Sequence, residues 1–323
     1  MRLNYFITGG TGSFAVHFSK HLVKKNLAKK IIIFSRDEYK QSIMKDFDFV
    51  KKNSKIFRFF IGDVRDRDRL EWAFNSDVDV LIHAAALKQV PTTEYNPFET
   101  VKTNIMGSQN IVEVGLKKKI KKILLVSTDK AVSPLNLYGS TKLTAEKLFI
   151  SANMFKGSSN SKLSVVRYGN VMGSRGSVIP LLLKQNKKSK FFTITDKRMT
   201  RFNIELDEAV KFVLDSVQSM KGGEIFVPKL KSYNILDLAK AINPLKKIKI
   251  IGVRKGEKIH EELLNASEFQ NTVETKKNFK ILPLKEFKNI NFKNYNSYNS
   301  YDNKPYLNIK QLKSLIEKNK KNF

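Results

Sequence analysis

A glycine-rich turn joins the first apolar run of the chain to its first helical pattern. Residues 3–7 have the composition of a short buried strand, and the turn that follows reads T-G-G-T-G-S-F-A at 8–15. Gly9 permits a tight turn, and Gly12 lets the backbone approach a pyrophosphate at the positive end of the next helix. Together the strand, the turn and the helix predict a dinucleotide-binding α/β unit at the start of the chain.

Further apolar runs alternate with helical patterns through the first half of the sequence. Each run spans about five or six residues, and the runs lie at 30–34, 56–61, 78–83, 123–127 and 163–168. Apolar residues at consecutive positions are typical of parallel strands that are covered on both faces. The alternation predicts a doubly wound parallel Rossmann sheet, with right-handed crossovers, over residues 1–170.

In the rest of the chain, the alternation of apolar runs and helical patterns is less regular. We expect a smaller C-terminal substrate-binding lobe at 171–275, with returns to the Rossmann sheet. Lysine and asparagine dominate residues 276–323, and the stretch at 294–301 has no hydrophobic period, which predicts irregular chain. A closing helix is expected at 309–317.

The composition excludes several kinds of site. The chain has no cysteine and four histidines, so disulfides and a cysteine nucleophile are excluded and no metal site is expected. The first residues do not form a charged and apolar leader, and no run approaches the ~18 apolar residues of a membrane span. The sequence therefore predicts a soluble, cytoplasmic protein with no membrane partner.

The net charge is far from zero, because 60 Lys and Arg residues against 30 Asp and Glu give +30. A value this high raises nucleic acid as a partner. Lysine is nevertheless spread over nearly every segment, whereas a nucleic-acid interface would concentrate it among exposed aromatic residues. We therefore expect no nucleic-acid partner and interpret most of the charge as background, with a positive field that would speed the capture of polyanionic ligands.

The end of the second predicted strand bears on the choice of cofactor. An NAD site has an acidic residue there, but this strand ends in Ser35-Arg36, with Lys40 one turn later. A hydroxyl and a guanidinium suit a 2′-phosphate, because arginine offers a planar fork of donors. Asp37 could still reach a ribose, so the sequence favours NADP and leaves NAD as the alternative.

A tyrosine and a lysine four residues apart follow the fifth predicted strand. Tyr138 and Lys142 lie on one helix face, and an ammonium beside a phenol would lower the pKa of that phenol from about 10. Such a tyrosine can remove a hydroxyl proton while hydride leaves the same carbon for a nicotinamide. The strand itself runs into S-T-D-K at 127–130, which brings further polar groups to the same edge of the sheet.

These motifs, in this order, resemble those of the extended short-chain dehydrogenase/reductase family. A closer resemblance, to one group within this family, covers about residues 1–265 and is carried by FFIGDVRD (59–66), TEYNP (93–97), KTNIMG (102–107), STDKA (127–131), NLYGSTKL (136–143), VVRYGNVMGSRGSV (165–178), ITDKRMTRF (194–202) and GGEIFVPK (222–229). Within the family, the chain resembles the inverting 4,6-dehydratases that act on UDP-N-acetylglucosamine at the start of pseudaminic acid biosynthesis.

The resemblance implies a hydro-lyase reaction with no net redox change. Tyr138, assisted by Lys142, would deprotonate the sugar 4-hydroxyl while a tightly bound, recycled NADP takes hydride from C4. Water would then be eliminated across C5–C6, and hydride would return to C6. The expected product is a UDP-4-keto-6-deoxy-L-hexose.

Elimination requires a base for C5 and an acid for the C6 hydroxyl. The resemblance implies that Asp129 and Lys130 share this work; we favour Lys130 as the base and Asp129 as the acid, with the reverse assignment open. Lys130 would need a lowered pKa, from burial or from the charges of Lys142 and Lys88. Thr128 is expected to hydrogen-bond the sugar 4-oxygen.

The resemblance also implies two sets of binding residues. The cofactor set comprises Thr8, Gly9, Thr11, Gly12, Ser13, Phe14, Ser35, Arg36, Lys40, Asp63, Val64, Ala84, Ala85, Ala86, Lys88 and Asn104, together with Tyr138 and Lys142. The UDP-sugar set comprises Lys88, Tyr168, Asn170, Arg175, Thr195, Met199, Arg201, Arg254 and Glu257. The chain departs from the resembled pattern at Ala15, which replaces the third glycine of the loop, and at Gln89, which replaces a histidine and cannot titrate.

The alternative function is that of a UDP-N-acetylhexosamine epimerase acting at C4 or C5, which would use the same loop, tyrosine and lysine. The Asp129-Lys130 pair discriminates, because elimination needs acid and base groups beside C5 and C6 whereas C4 epimerisation does not. The resemblance further implies a homo-oligomer, a dimer or a hexamer, in which a helix at 94–116 pairs with the helix at 137–155.

Overall fold

The computed structural model describes residues 2–74, 77–173, 177–283 and 297–320 of the chain. The strands are β1 (Leu3–Thr8), β2 (Ala28–Ser35), β3 (Phe57–Ile61), β4 (Val80–His83), β5 (Lys122–Thr128), β6 (Lys162–Tyr168), β7 (Asn170–Val171), β8 (Phe191–Ile194), β9 (Thr200–Ile204), β10 (Ile225–Pro228), β11 (Lys231–Asn234), β12 (Lys247–Ile250), β13 (Glu262–Leu264), β14 (Thr272–Glu274), β15 (Asn278–Ile281) and β16 (Tyr298–Asn299). The α-helices are α1 (Ser13–Lys24), α2 (Glu38–Lys45), α3 (Asp48–Lys51), α4 (Arg67–Ala73), α5 (Val90–Tyr95), α6 (Pro97–Val101), α7 (Gly107–Lys117), α8 (Leu137–Phe155), α9 (Val178–Lys188), α10 (Leu206–Ser219), α11 (Ile235–Ile242), α12 (Ala266–Phe269) and α13 (Ile309–Lys318).

A nine-stranded sheet in the order β14-β15-β10-β6-β5-β4-β1-β2-β3 forms the centre of the protein. Its strands from β10 to β3 in that order run parallel, and β14 and β15 add an antiparallel edge. The order reverses at β1, from which the chain proceeds first toward β3 and then through β4 toward β6. The predicted doubly wound parallel sheet is confirmed, and β1 to β6 coincide with the six predicted apolar runs.

Consecutive apolar residues of the strands are buried on opposite faces of the sheet. In β2, Ile31 and Ile33 pack into one core cluster, while Ile32 and Phe34 pack into the other, and all four are inaccessible to solvent. Helices α1 and α10 pack together on one side, and α4, α7 and α8 on the other. Burial on both faces explains why these strands lack an alternating polar pattern.

The single helix predicted at 94–116 is wrong in detail. Helix α5 ends at Tyr95 and α6 begins at Pro97, and a π-helical turn at Lys102–Met106 precedes α7. The residue before a proline is disfavoured in the α region, and Asn96 accordingly has φ −121° and ψ 65°. Helical sequence pattern therefore continues through a segment whose axis is interrupted.

The second half of the chain builds a smaller lobe around its own apolar cluster. Sheet β11-β9-β7 and the pair β12-β8 lie here, and α9, α11 and α13 pack with them. The closing helix predicted at 309–317 is confirmed as α13. The irregular stretch predicted at 294–301 lies partly outside the described residues, and within it β16 pairs with β13. The division of the chain into three units stays a prediction. At the start of the predicted tail, β15 joins the central sheet.

Candidate active site

A cleft of about 560 Å³ lies at the carboxyl ends of the parallel strands, at the neighbouring strands β1 and β4 between which the strand order reverses. In doubly wound sheets this reversal of strand order is the place where ligands bind. The cleft is lined by Gly9, Thr11, Gly12, Ser13, Phe14, Ala15, Phe34, Ser35, Arg36, Asp37, Lys40, Gly62, Asp63, Val64, Ala84, Ala85, Ala86, Lys88, Gln89, Thr103, Val126, Ser127, Thr128, Lys130, Tyr138, Lys142, Tyr168, Gly169, Asn170, Val171, Ser177 and Leu206.

The glycine-rich turn forms one end of the cleft. Gly9 has φ +62°, and a Cβ at this residue would lie 2.8 Å from the carbonyl oxygen of Ala84, so no larger residue fits. Gly12 is the N-cap of α1 and no side chain caps that end, which leaves the first N–H groups of the helix directed at the cleft. Both features fit a pyrophosphate, because these N–H groups and the helix dipole bind anions.

Three buried hydroxyl groups of the cleft lack hydrogen-bond partners among the described residues. These are Thr103 Oγ1, Ser127 Oγ and Ser177 Oγ. A buried hydroxyl without a partner costs free energy, so the cleft offers polar groups to a ligand that fills it. None of the three was predicted as a site residue, since an isolated serine or threonine carries no distinctive sequence pattern.

The residues after β2 form the far end of the cleft. Ser35, Arg36, Asp37 and Lys40 all line it. The carboxylate of Asp37 caps α2 by accepting from the Lys40 backbone N–H at 2.9 Å, and it also pairs with the Lys40 ammonium. The Arg36 side chain is half exposed, and its guanidinium lies 3.4 Å from Asp63. A cation is therefore available here, while the carboxylate that could bind a ribose has intramolecular partners.

The catalytic candidates converge from two elements. Strand β5 ends at Thr128 and passes into a 3₁₀ turn at Asp129–Ala131. Asn136 then caps α8 by accepting from the Gly139 N–H at 2.9 Å, which fixes the first turn of that helix at the cleft. Helix α8 packs against this turn, and Thr128 and Tyr138 both line the cleft, so the two elements meet where the predicted proton transfer would occur.

The predicted lowering of the Tyr138 pKa by Lys142 is wrong. Burial raises the pKa of Tyr138 to about 12, and the neighbouring cation that opposes this rise is Lys130. Lys142 instead donates from Nζ to the carbonyl of Val126 at 2.8 Å, and burial lowers the pKa of its own ammonium to about 8. The sequence predicts the helical spacing of Tyr138 and Lys142 but not how deeply the two side chains are buried.

Lys130 lies between two buried carboxylates. Its Nζ is 3.1 Å from Asp129 Oδ1 and 3.0 Å from Glu261 Oε1. Burial acts against the ammonium, but the charges of Asp129 and Glu261 outweigh it and raise the pKa of Lys130. The predicted lowering of this pKa, by burial or by Lys142 and Lys88, is therefore wrong.

Asp129 is almost completely buried and occupies the other side of this ion pair. Its Oδ1 accepts from the Thr128 hydroxyl at 2.9 Å, and its Oδ2 has no partner among the described residues. Burial raises the pKa of Asp129, and the nearby charge of Glu261 acts in the same direction while Lys130 opposes it. A carboxyl group in this environment holds a proton more readily than an exposed one.

Glu261 was not predicted as a site residue. It lies 131 positions after Lys130 in the chain, directly before β13, and its side chain is 3% exposed. Its only sequence signal is a pair of acidic residues after His260, a pattern that surface segments also show. The fold, not the local sequence, brings this carboxylate to the site.

Two predicted cofactor contacts lie behind the cleft. Thr8 Oγ1 is 2.7 Å from His83 Nδ1 and accepts from the Ala84 N–H at 3.2 Å. The Asn104 amide accepts from the Leu87 N–H at 2.8 Å and donates to the Leu87 carbonyl at 2.9 Å. Both side chains use their polar groups to hold the loop after β4, so they support its cleft residues and do not line the cleft themselves.

The predicted UDP-sugar set is only partly brought together. Lys88, Tyr168 and Asn170 line the cleft, as does Gln89. Arg175 lies outside the described residues, and Arg254 is exposed on the lobe. The members Thr195, Met199, Arg201 and Glu257 are not among the residues that line the cleft.

The contacts of Arg201 show why this residue does not line the cleft. Its guanidinium donates to the backbone carbonyls of Thr200, Ile259 and Lys258 at 2.8–3.0 Å, and it lies 3.7 Å from Glu261. The N–H donors of Arg201 are therefore engaged within the protein. The sequence, in contrast, predicted that Arg201 would bind the UDP-sugar. Met199, similarly, accepts from Thr195 through its sulfur.

Two further properties concern only the described part of the chain. No group of three or more His, Cys, Asp or Glu side chains there has an arrangement that could hold a metal ion. None of the helices there combines the length and the apolar content needed to cross a lipid bilayer.

Comparison with known proteins places this geometry in a family. Residues 5–283 match a family model described as "Polysaccharide biosynthesis protein". An inverting UDP-N-acetylglucosamine 4,6-dehydratase of Campylobacter jejuni (strain 81-176) is 50% identical over 281 residues, which cover 87% of this chain and 83% of that protein. A UDP-glucose 4-epimerase of Rickettsia canadensis is 42% identical over 269 residues, which cover 81% and 77% of the two chains.

Among solved structures, Pen from Bacillus thuringiensis superposes with a TM-score of 0.90 and 36% sequence identity, and the match covers 98% of each chain. The sequence match, the Rossmann-type sheet and the cleft with its tyrosine and lysine agree with one another. The chain therefore belongs to the polysaccharide biosynthesis protein family.

Proposed function

We propose that the protein is an NADP-dependent UDP-N-acetylglucosamine 4,6-dehydratase that inverts C5. The observation that carries this function is the Asp129–Lys130 ion pair, 3.1 Å apart, in which Asp129 is buried and Lys130 reaches the cleft near Tyr138. A site that only oxidises and reduces C4 needs the tyrosine but not a second acid–base pair. The relative from C. jejuni, with half of its aligned residues identical, carries the same activity in its name.

The glycine-rich turn and the residues after β2 would hold the dinucleotide. Arg36 supports the choice of NADP, because its guanidinium can bind a 2′-phosphate while the Asp37 carboxylate is engaged as a helix cap. When bound, the nicotinamide supplies a hydride acceptor for the sugar C4 and later a hydride donor for C6. Tyr138 would take the proton of the 4-hydroxyl, with Thr128 beside it in the lining of the cleft.

Elimination needs a base and an acid at one moment, and the ion pair can supply both. A proton that moves from Lys130 Nζ to Asp129 Oδ1 leaves a neutral amine and a neutral carboxylic acid without changing the total charge. Burial acts against the charge of both groups, but the carboxylates of Asp129 and Glu261 hold the proton on Lys130, so the neutral form is the less populated one through which the step passes. The amine of Lys130 would then take the C5 proton, while Asp129 gives its proton to the departing C6 hydroxyl, which leaves as water.

Lys88, Tyr168 and Asn170 are the proposed contacts of the UDP-sugar within the cleft. The substrate and NADP are both polyanions, so the net charge of +30 would favour their capture. Because polyanions do not cross a bilayer unaided, we place the reaction in the cytoplasm, as a step of pseudaminic acid formation.

We also propose a homo-oligomer that buries the apolar side chains of the interrupted helices and of α8. Tyr95, Phe98, Met154 and Phe155 on these helices are each more than half exposed in the single chain. Apolar surface of this kind is typical of a protein–protein interface.

A time course of proton NMR spectra with UDP-N-acetylglucosamine tests the reaction. The dehydratase converts the C6 hydroxymethyl signals to a methyl doublet. An epimerase, the alternative suggested by the R. canadensis relative, leaves the hydroxymethyl group in place and changes ring coupling constants instead. Appearance of such a product without any methyl signal would contradict the proposed function.

A further inference from the structure

We propose that Glu261 is a positioning residue for the elimination step: it holds the Lys130 ammonium against Asp129, and its charge keeps the shared proton on that pair. This role rests on the proposed dehydratase function. Glu261 contacts Lys130, which lines the cleft, and is not itself among the residues that line it, so it would act through Lys130.

The geometry makes Lys130 a bridge between two carboxylates. Its Nζ contacts Glu261 Oε1 at 3.0 Å and Asp129 Oδ1 at 3.1 Å, and both carboxyl side chains are at most 3% exposed. Arg201 Nε also lies 3.7 Å from Glu261 Oε1, so two cations face the two buried carboxylates, and they hold the pKa of Glu261 below its ordinary value. Glu261 Oε2 and Asp129 Oδ2 each lack a partner among the described residues.

Glu261 is held in this place by a segment of the tail. Its backbone N–H donates to Ser300 Oγ at 2.9 Å, and the Ser300 N–H donates to the Glu261 carbonyl at 2.8 Å. Ser300 is fully buried and also bonds to Thr200 of β9 through its hydroxyl. The side chain of Glu261 therefore projects from a backbone that is fixed on both sides.

The charge of Glu261 affects both members of the pair in the same direction. It raises the pKa of Asp129 and that of Lys130, in addition to the effects of burial and of their mutual contact. The other titratable or charged groups that act on this cluster are Tyr138 of α8, Arg201 of β9, Lys258 before β13, Lys88 of the loop after β4, and Tyr233 of β11. Removing Glu261 takes away one of the two carboxylates that contact Lys130 and leaves Asp129 as the other.

The test compares Glu261→Gln with the wild type over a range of pH, using UDP-N-acetylglucosamine. Elimination requires one proton on the Asp129–Lys130 pair, so activity falls on the acid side when a second proton binds and on the alkaline side when the first is lost. Loss of the Glu261 charge lowers both pKa values. The pH optimum for formation of the methyl product should therefore move down by about one to three units.

Two variants separate charge from packing. Glu261→Asp keeps the charge and should keep the wild-type optimum, even if its rate falls. Glu262→Gln removes the adjacent carboxylate on β13, which contacts neither catalytic group, and should match the wild type. If Glu261→Gln does not give a folded protein in a thermal unfolding scan, Glu261→Ala takes its place and must show the same displacement.

An unchanged optimum in Glu261→Gln, whatever its rate, would overturn this role, as would equal displacements in the Gln and Asp variants. Failure of the proposed function is recognised separately from the wild type. A wild-type product that keeps its hydroxymethyl group refutes the dehydratase and with it the role of Glu261, whereas a wild-type methyl product with no shift in the variant refutes Glu261 alone.

Discussion

The guanidinium of Arg167 donates to both carboxylate oxygens of Glu146, from Nε to Oε1 at 3.1 Å and from Nη2 to Oε2 at 2.6 Å. Both side chains are inaccessible to solvent. Arg167 also donates to the carbonyl of Leu263 at 3.0 Å, two residues after Glu261. This pair therefore joins α8, the helix that carries Tyr138, to the segment that carries Glu261.

Arg167→Met should destabilise the protein by about 3–5 kcal/mol, because it leaves Glu146 as a buried carboxylate without its main partner. Arg198→Met is the matched control. Arg198 pairs with Asp196 on the surface with 68% of its side chain exposed, and loss of such a solvent-screened pair should leave the stability nearly unchanged. Urea unfolding of the three proteins measures the difference, and equal losses in the two variants would contradict it.

His83 makes stability depend on pH. Burial, and then the charge of Lys142, lower the pKa of this imidazole to about 3, whereas its ordinary value is 6.5. The unfolded chain therefore binds a proton between these values that the folded protein does not. The free energy of unfolding should fall as the pH drops from 6.5 to 3, by about 1.4 kcal/mol per pH unit from His83 alone.

The variant His83→Gln isolates this effect, since an amide can hydrogen-bond to Thr8 and Ser108 as the imidazole does but does not titrate. Its free energy of unfolding should depend less steeply on pH than that of the wild type in the same interval. Urea unfolding at several pH values provides the measurement. Parallel curves for the two proteins would show that His83 is not the source.

Arg36→Ala should weaken NADP binding by about 10- to 100-fold, the value of one or two charge-assisted hydrogen bonds, and leave NAD binding nearly unchanged. Isothermal titration calorimetry with each dinucleotide measures both constants. Arg198→Ala removes an exposed arginine outside the cleft and serves as the control for charge alone. An unchanged preference for NADP in Arg36→Ala would remove the basis for assigning that cofactor.

Lys130→Met should stop the uptake of solvent deuterium at C5 while oxidation at C4 persists, because Tyr138 is intact and the proposed C5 base is gone. The decrease in product formation should be about 100- to 10,000-fold, the usual contribution of a general base. Absorbance of the reduced nicotinamide reports C4 oxidation, and mass spectrometry reports deuterium. Lys156→Met, at a partly buried lysine remote from the cleft, is the control; normal product from Lys130→Met would refute the role.

The sequence predicts well those parts of the fold and site that depend on neighbouring residues. The apolar runs of β1 to β6, the glycine turn at 8–15 and the spacing of Tyr138 and Lys142 are local patterns, and the structure contains each of them. The interruption of the helix at Pro97 could have been predicted from the proline itself. It was not predicted, because the sequence has helical spacing on both sides of the proline.

The electrostatics and distant partners of the site could not be predicted. The directions of the pKa shifts at Tyr138 and Lys130 depend on burial and on Glu261, which the topology brings from far along the chain. Arginine is a residue type that often binds phosphate, yet three backbone carbonyls of the folded protein accept the hydrogen bonds of Arg201. Such assignments need three-dimensional neighbours.

The reaction of the wild-type protein with UDP-N-acetylglucosamine in D₂O tests directly whether the protein is an inverting dehydratase. Dehydration through loss of the C5 proton gives a methyl product with one deuterium at C5, whose methyl signal loses the splitting seen in H₂O. After reduction of the ketone, the product made in H₂O should have the ring couplings of an L-configured sugar. A product that retains its C6 hydroxymethyl group, or a methyl product with the D configuration at C5, would contradict this function.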